Sequence, residues 1–326
     1  MQVRIAVDGM GGEGAPAAIV QGAGMAAEEL GVEVHVVGTP AAVQPLLPQD
    51  SRLRFVPATQ VIGMAEHPVE AVRGKQDSSM SVCARLARDG QVDGWVSAGN
   101  SGAILAAALL VQGRVKGVER PAIGSVVPTA VGHAYFLDVG ANVDCKPQYL
   151  EQFAHMGAVY ARELLGKEDP RVGLLSNGGE RSKGDELVRD AHARIERSHL
   201  NFVGNVEGPD IFAGRVDVVV ADGFVGNVAV KMAEATADFL LHTLRDELNS
   251  SPSTRLGGLL IRAKVQGMRA RIDWREFGGG PLLGIDGVAV VAHGRSDARA
   301  IRNAIRVARD AVEHGLVAKV REAIGR

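Results

Sequence analysis

An α/β fold built on an open, mostly parallel sheet with helices on both faces is the class this sequence predicts, and two observations carry it. Short apolar runs end five times in a turn of glycine and polar residues, at Asp8, Ser97, Asn142, Asp222 and His293, each followed by a helix-forming stretch. Glycine makes up 41 of the 326 residues while aromatics are only 4%, a balance that suits many tight strand-to-helix turns. With 46% apolar residues there is ample material for a buried core. Residues 1–326 read as one α/β unit carrying a basic helical segment at about 250–275.

The elements follow in order. Residues 3–7 form an apolar strand that empties into Asp8-Gly9-Met10-Gly11-Gly12-Glu13-Gly14, ahead of an alanine-rich helix to residue 30. Strands are expected at 33–37 and 53–56, and helical segments at 69–76 and 81–89, the second capped by Asp77-Ser78-Ser79-Met80. The run 92–98 is a buried strand, and 103–111 an apolar helix. Strands at 123–127 and 134–139 lead through Gly140-Ala141-Asn142-Val143-Asp144-Cys145 to a helix at 148–165. The second half repeats the logic. A strand at 172–175 opens into a turn containing Lys183 and a helix to about residue 197. Strands at 202–205 and 216–221 then precede a long helix that starts after Asp222. Gly278-Gly279-Gly280-Pro281 reads as a loop, followed by a strand at 288–292 and an amphipathic helix from 296 to about 323.

The net charge is −2, from 36 basic and 38 acidic residues, so nothing global draws the chain to nucleic acid. The exception is local. Arg255, Arg262, Lys264, Arg269 and Arg271 stand in the segment 255–272 without an acid. Its apolar residues form two helical stripes, Leu256/Leu259/Leu260/Ala263 and Ile261/Val265/Met268/Ile272. This is either a projecting helix that offers one side to a partner or to lipid headgroups, or an interface helix with solvated arginines. Two cysteines distant in sequence, Cys83 and Cys145, lack metal-ligand spacing and suit a reducing compartment. With no signal-peptide pattern and no long uncharged apolar run, the expected location is the cytoplasm.

The chemistry sits at the strand ends. The turn Ser97-Ala98-Gly99-Asn100-Ser101-Gly102 lies between a strand and the start of a helix, where unpaired N–H groups and the helix dipole favour an anion. Ser97, Asn100 and Ser101 add polar side chains; an ordinary helix cap is the alternative. Gly9, Gly11 and Gly14 satisfy a G-x-G-x-x-G pattern, yet the second strand ends at Gly38-Thr39-Pro40 without the acid that would hold a ribose hydroxyl. Lys183 is either an anion clamp or a solvated lysine, and Cys145 either an acyl-accepting thiol or a packing residue. No Ser/His/Asp triad and no zinc spacing accompanies them, so no metal or cofactor is expected. A lining of this kind holds an oxyanion and does not advertise a covalent nucleophile.

Taken together, these turns resemble the bacterial phosphate acyltransferases, the acyl-acyl-carrier-protein:phosphate transacylases of phospholipid synthesis. The matching stretches are Asp8-Gly9-Met10-Gly11-Gly12, Asp77-Ser78-Ser79-Met80, Ser97-Ala98-Gly99-Asn100-Ser101-Gly102-Ala103, Glu119-Arg120-Pro121-Ala122, Asp138-Val139-Gly140-Ala141-Asn142-Val143-Asp144, Lys183-Gly184, Asp222-Gly223-Phe224-Val225-Gly226-Asn227 and Ala292-His293-Gly294. Two positions depart from the pattern: Ser176 stands where the family usually has Asn, and Glu13 where it usually has Asp. The resemblance implies a fold similar to phosphotransacetylases and the isocitrate/isopropylmalate dehydrogenases. It also implies a homodimer, loose contact with the inner face of the membrane, and transfer of a fatty acyl group from acyl carrier protein to inorganic phosphate. On this reading Asp8, Gly11, Gly12, Ser97, Asn100, Ser101 and Gly102 bind phosphate. Lys183, Asn227, Asn142, Asp222 and His293 carry the reaction. Arg255, Arg262, Lys264, Arg269 and Arg271 meet the carrier protein or the membrane. An enzyme acting on acyl-coenzyme A, like a phosphotransacetylase, is the nearest alternative.

Overall fold

The computed structural model describes residues 2–48 and 52–325, with the side chains of residues 269–272 and 274 outside that description. Eleven strands form one sheet: β1 Arg4–Asp8, β2 Glu33–Gly38, β3 Leu53–Pro57, β4 Gly94–Ser97, β5 Ala122–Thr129, β6 Gly132–Leu137, β7 Val172–Leu175, β8 Phe202–Val206, β9 Val218–Val220, β10 Gly280–Leu283 and β11 Ala289–Val291. Their order is β3-β2-β1-β4-β11-β10-β5-β6-β9-β7-β8. Every pairing is parallel except β11–β10, β10–β5 and β5–β6 in the middle. The strands nearest the centre are apolar on both faces, as a doubly covered sheet requires; β1, β4, β9 and β11 are buried almost throughout.

The three antiparallel pairings decide where the site lies. Val291 stands beside Ser97, Gly280 opposite Val291, Leu282 opposite Ile123, Gly124 opposite Leu137, and Leu137 beside Val220. Direction reverses across these registers. The carboxyl ends of β1, β4 and β11 therefore meet those of β6 and β9 head-on, at the level of Gly124. A wholly parallel sheet would put these polar turns on one edge; here they converge from two opposed edges. β5 alone runs on past this level, to its hairpin with β6.

The strand β10 falls where the sequence reads as a glycine-rich loop. Gly280 is obligatory there, since a Cβ would stand 2.4 Å from the Gly124 carbonyl oxygen on the neighbouring strand. Helices close both faces. Helix Ala298–Glu313 buries Ile301, Ile305 and Val307 on its broad inner side, each contributing roughly 1.5–3 kcal/mol of transfer free energy. It lies against helix Ala17–Glu29 at Gly22, where a Cβ would meet the Ala298 carbonyl at 2.5 Å. The expected single terminal helix breaks at Gly315, which takes a positive φ of 61°, and resumes as Leu316–Ile324.

Helix Gly223–Asn249 runs outward from the end of β9, and helix Pro252–Ile272 doubles back against it. This pair is the least buried part of the chain. Phe224, Met232 and Phe239 on the first helix and Leu259 and Leu260 on the second all face outward, Leu260 at 81% exposure. Among the described residues no helix is long and apolar enough to cross a membrane.

Candidate active site

On the β1/β4 side, two strand ends are locked together below the surface. Asp8 and Ser97 are both buried, and the Ser97 hydroxyl donates to Asp8 Oδ2 at 2.7 Å while its oxygen accepts the Gly99 N–H at 3.1 Å. Burial pushes the Asp8 carboxyl above the usual carboxylate range, opposed by the Ser79 and Ser97 hydroxyls and the Met10 and Gly11 amides. Gly11 crosses directly over this pair; a Cβ there would come within 2.7 Å of Asp8 Oδ2 and 2.8 Å of the Gly99 nitrogen. Gly12, at a φ of +100°, lies against Ala98 and Gly294, and the Glu13 N–H donates to the Gly294 carbonyl at 2.7 Å. The three loops thus form one surface, with Gly99, Ser101, Glu13 and Gly294 outermost.

Asn100 does the work of a cap. Its Oδ1 accepts the Ala103 N–H at 3.1 Å, and its Nδ2 donates to the carbonyls of Met64 and Glu66, holding that loop over the strand ends. Gly102 gives room to Pro68, 2.7 Å from where its Cβ would be. Asp8, Ser97, Asn100 and Gly102 are therefore behind the surface they shape, whereas Ser101 is on it.

The β6/β9 side has a second cage. The buried Asp138 carboxylate accepts the N–H groups of Ile123, Gly140, Ala141 and Asn142, and the Asn142 side-chain amide as well, at 2.8–3.1 Å. That amide also donates to the Pro121 carbonyl, and the Asn142 carbonyl receives the Gly223 N–H. Asp222 caps the long helix, its Oδ1 accepting the Phe224 and Val225 N–H groups at 2.9 Å each. One turn further, Asn227 lies against Gly140 and makes no side-chain hydrogen bond among the described residues. Cys145 is held beside this cage with its thiol pushed up to about 12, first by burial and then by the Asp138 carboxylate, the opposite of an activated nucleophile.

Between the two sides opens a cavity of about 730 Å³. Its polar end is made by Gly99, Ser101, Gly140, Asn227, His293 and Gly294. Its apolar arm follows β5 from Ile123 to Ala130 and is completed by Val230, Ala233, Ala237, Phe212 and Phe277. His293 Nδ1 accepts the Arg295 N–H at 3.2 Å, so the neutral ring carries its proton on Nε2. Burial, with Arg295 and Lys231 nearby, holds this ring below the ordinary histidine range. The cavity brings amide, hydroxyl and imidazole groups together with apolar side chains on one wall, a lining that suits a ligand with both an anionic and an apolar part.

The sequence comparisons agree with this geometry. Residues 3–319 match the model of the family described as fatty acid synthesis protein. A phosphate acyltransferase of Heliobacterium modesticaldum is 48% identical over 327 residues, covering 99% of this chain and 98% of that protein. One of Anaeromyxobacter dehalogenans is 50% identical over 325 residues, covering 98% and 90%. The chain belongs to the phosphate acyltransferase family.

A phosphate acyltransferase is an enzyme, and its fold is shared with proteins far more distant in sequence. The phosphotransacetylase of Streptococcus pyogenes superposes with a TM-score of 0.63 at 18% identity, covering 100% of this chain and 95% of that one. A 4-hydroxythreonine-4-phosphate dehydrogenase of Klebsiella pneumoniae gives 0.55 at 15%, covering 96% and 100%. Of the residues singled out by sequence, this phosphate acyltransferase brings Ser101, Asn227 and His293 to the cavity wall. It sets Asp8, Gly11, Gly12, Ser97, Asn100, Gly102, Asn142 and Asp222 immediately behind. Lys183 is exposed on the loop beyond β7, its stem folded against Gly178, and does not line the cavity. Arg255, Arg262 and Lys264 are exposed on the outer helix; the side chains of Arg269 and Arg271 lie outside the described residues. Lys231 and Glu234 line the cavity and were missed; the signal was their i+4 and i+7 spacing from Asn227 on one helical face.

Proposed function

We propose that the chain moves a fatty acyl group from an acyl carrier protein thioester to inorganic phosphate, with residues 1–326 acting as one catalytic unit. The cavity carries this reading: an apolar arm the length of β5 has no purpose for an acetyl group, and its polar end is lined by amide, hydroxyl and imidazole groups. A phosphate oxygen attacks the thioester carbon, forming the C–O bond and a tetrahedral intermediate whose collapse breaks the C–S bond. The proton of hydrogen phosphate ends on the departing sulfur, giving acyl phosphate and the free carrier thiol. Phosphate is already an anion at neutral pH, so no strong base is required.

Phosphate rests on the Gly99–Ser101 and Gly294 backbone, above the surface that Asp8, Gly11, Gly12, Ser97, Asn100 and Gly102 hold in place. Asn227 donates its free amide to the oxyanion of the tetrahedral intermediate. His293 offers its Nε2–H to the phosphate or the leaving sulfur. Asn142 and Asp222 position Asn227. The acidic carrier protein docks on Arg255, Arg262 and Lys264, which are exposed and make no ion pair among the described residues. The outward apolar face of the two long helices supports a homodimer that rests against the inner face of the cytoplasmic membrane.

The test is product analysis. Long-chain acyl carrier protein and phosphate are incubated with the enzyme, and phosphate-dependent acyl phosphate is measured beside the same reaction with acyl-coenzyme A. Faster turnover of the carrier-linked acyl group is expected; preference for the coenzyme A thioester would overturn the assignment of the donor.

A further inference from the structure

We propose that Lys231 is the cation that binds the attacking phosphate, its ammonium neutralising the anion at the polar end between Asn227 and His293. The inference rests on the acyl-transfer reading above and assigns the charge partner of the nucleophile. Among the described residues, the charged groups on the cavity wall are Glu13, Glu234 and Lys231, beside a neutral His293. Backbone N–H groups and the Asn227 amide offer dipoles but no net charge. An anion that enters beside two carboxylates needs a full positive charge to offset them, and Lys231 is the one the wall supplies.

Two contacts fix the face on which it stands. Asn227 lies against Gly140, and further along the same helix Asp238 Oδ2 is 3.7 Å from Arg295 Nη2, on the loop that carries His293 and Gly294. At about 3.6 residues per turn, Asn227, Lys231, Glu234 and Asp238 fall within about 60° of one another around the helix. The stripe between the two contacts therefore faces the polar end. The fields agree with this placement. Burial pushes the Glu234 carboxyl up and Asp238 adds to this, while Arg295 and Lys231 draw it down. Lys231 itself is exposed, and its side chain makes no hydrogen bond or ion pair among the described residues, even with Glu234 one turn away. Its ammonium is a point charge on a flexible stem, uncommitted within the protein and able to follow the anion.

The experiment measures acyl phosphate formation with inorganic phosphate and the acyl carrier protein thioester varied in turn. A hydrogen bond to a charged group contributes about 10- to 100-fold in affinity. Lys231→Met is expected to raise KM for phosphate at least tenfold and to leave KM for the acyl donor within about twofold. Lys231→Arg keeps the charge and is expected to recover most of the loss. Since the side chain makes no bond within the protein, both variants should melt where the unaltered enzyme does. A second readout follows the His293 ring by NMR titration. Arg295 and Lys231 push its pKa down and Glu13 pushes it up, so loss of the Lys231 ammonium raises it. An unchanged phosphate KM, equal rises for both substrates, an arginine variant as impaired as the methionine one, or an unmoved His293 each overturns the assignment and leaves acyl transfer standing. Failure of the unaltered enzyme to form acyl phosphate overturns that reading instead.

Discussion

The Ser97 hydroxyl donates to Asp8 Oδ2 over 2.7 Å, tying the end of β4 to the end of β1 inside the protein, directly beneath Gly11 and Gly99. A buried carboxylate that loses a donor keeps its desolvation cost. Ser97→Ala is therefore expected to lower unfolding free energy by about 1–3 kcal/mol and to lower kcat as the Gly99 backbone relaxes. Because burial raises the folded Asp8 pKa, the native state binds its proton more tightly than the unfolded chain does. The Asp8 contribution is thus fully present below the unfolded value and is lost as pH rises through the folded one. Asp8→Asn removes that dependence, so urea unfolding should show the variant gaining on the unaltered protein as pH rises. A constant difference between the two across pH would show that Asp8 does not titrate abnormally.

On the proposed mechanism Asn227 acts on the reacting atoms and Asn142 positions it, and the two roles predict different variants. Asn227→Ala removes an amide with no partner among the described residues, so stability should stay within about 0.5 kcal/mol while kcat falls about 10²–10³-fold. Asn142→Ala strips the Asp138 carboxylate and the Pro121 carbonyl of a donor, and should cost about 1–3 kcal/mol of stability as well as activity. Thermal unfolding beside steady-state kinetics distinguishes them; a destabilised Asn227→Ala with unchanged kcat would reverse the assignment.

The same residues show how far the sequence reaches. All five polar strand ends are legible, because each is a local event: an apolar run, a glycine, a cap. Their convergence is not, since it depends on β10, whose Gly278-Gly279-Gly280-Pro281 start carries every signal of a loop. Gly280 is required there because a Cβ would stand 2.4 Å from the Gly124 carbonyl of β5, a relation between distant residues. Asn100 shows an ambiguity of another kind. Its residue type suits both a cap and an anion contact, and only its three hydrogen bonds to Ala103, Met64 and Glu66 decide for the cap. Lys231 and Glu234 escaped notice because charged residues in a long helix ordinarily face water.

His293 gives a pH signature. Its ring is held below the ordinary value of 6.5, so it is neutral at pH 7 and protonates only under more acidic conditions. Protonation would place a hydrogen on Nδ1, where the Arg295 N–H now donates, and break that contact. The rate should therefore fall on the acid side below pH 6.5, and His293→Gln should lower kcat about 10²-fold and flatten that limb relative to the unaltered enzyme. An acid limb identical in the variant would assign it to the substrate.

Far from the site, Asp217 anchors the start of β9. Burial alone would push its carboxyl up, but Arg171 and Lys167 hold it down at about 2, with Arg171 Nε at 2.9 Å and Lys167 Nζ at 3.0 Å. The unfolded chain takes up this proton nearer 3.8, so the stabilisation is present above that value and is lost as pH falls toward 2. Asp217→Asn should cost about 1.5–3 kcal/mol at neutral pH, with the deficit shrinking between pH 4 and 2. Chemical denaturation across that range measures it.

The outer helix offers a prediction about the donor. Arg255, Arg262 and Lys264 are exposed and make no ion pair among the described residues, so their field is not neutralised within the chain. Such charges act on encounter more than on the bound complex, and the effect decays within a Debye length of about 8 Å at physiological ionic strength. Reversing Arg262 and Lys264 to Glu should raise KM for carrier-linked acyl groups about tenfold at low salt and less at high salt. The same pair of changes should leave KM for a coenzyme A thioester nearly unaltered, because the cavity is untouched. If liposome binding is lost while both KM values stay constant, the patch serves the lipid surface, and the carrier protein approaches from elsewhere.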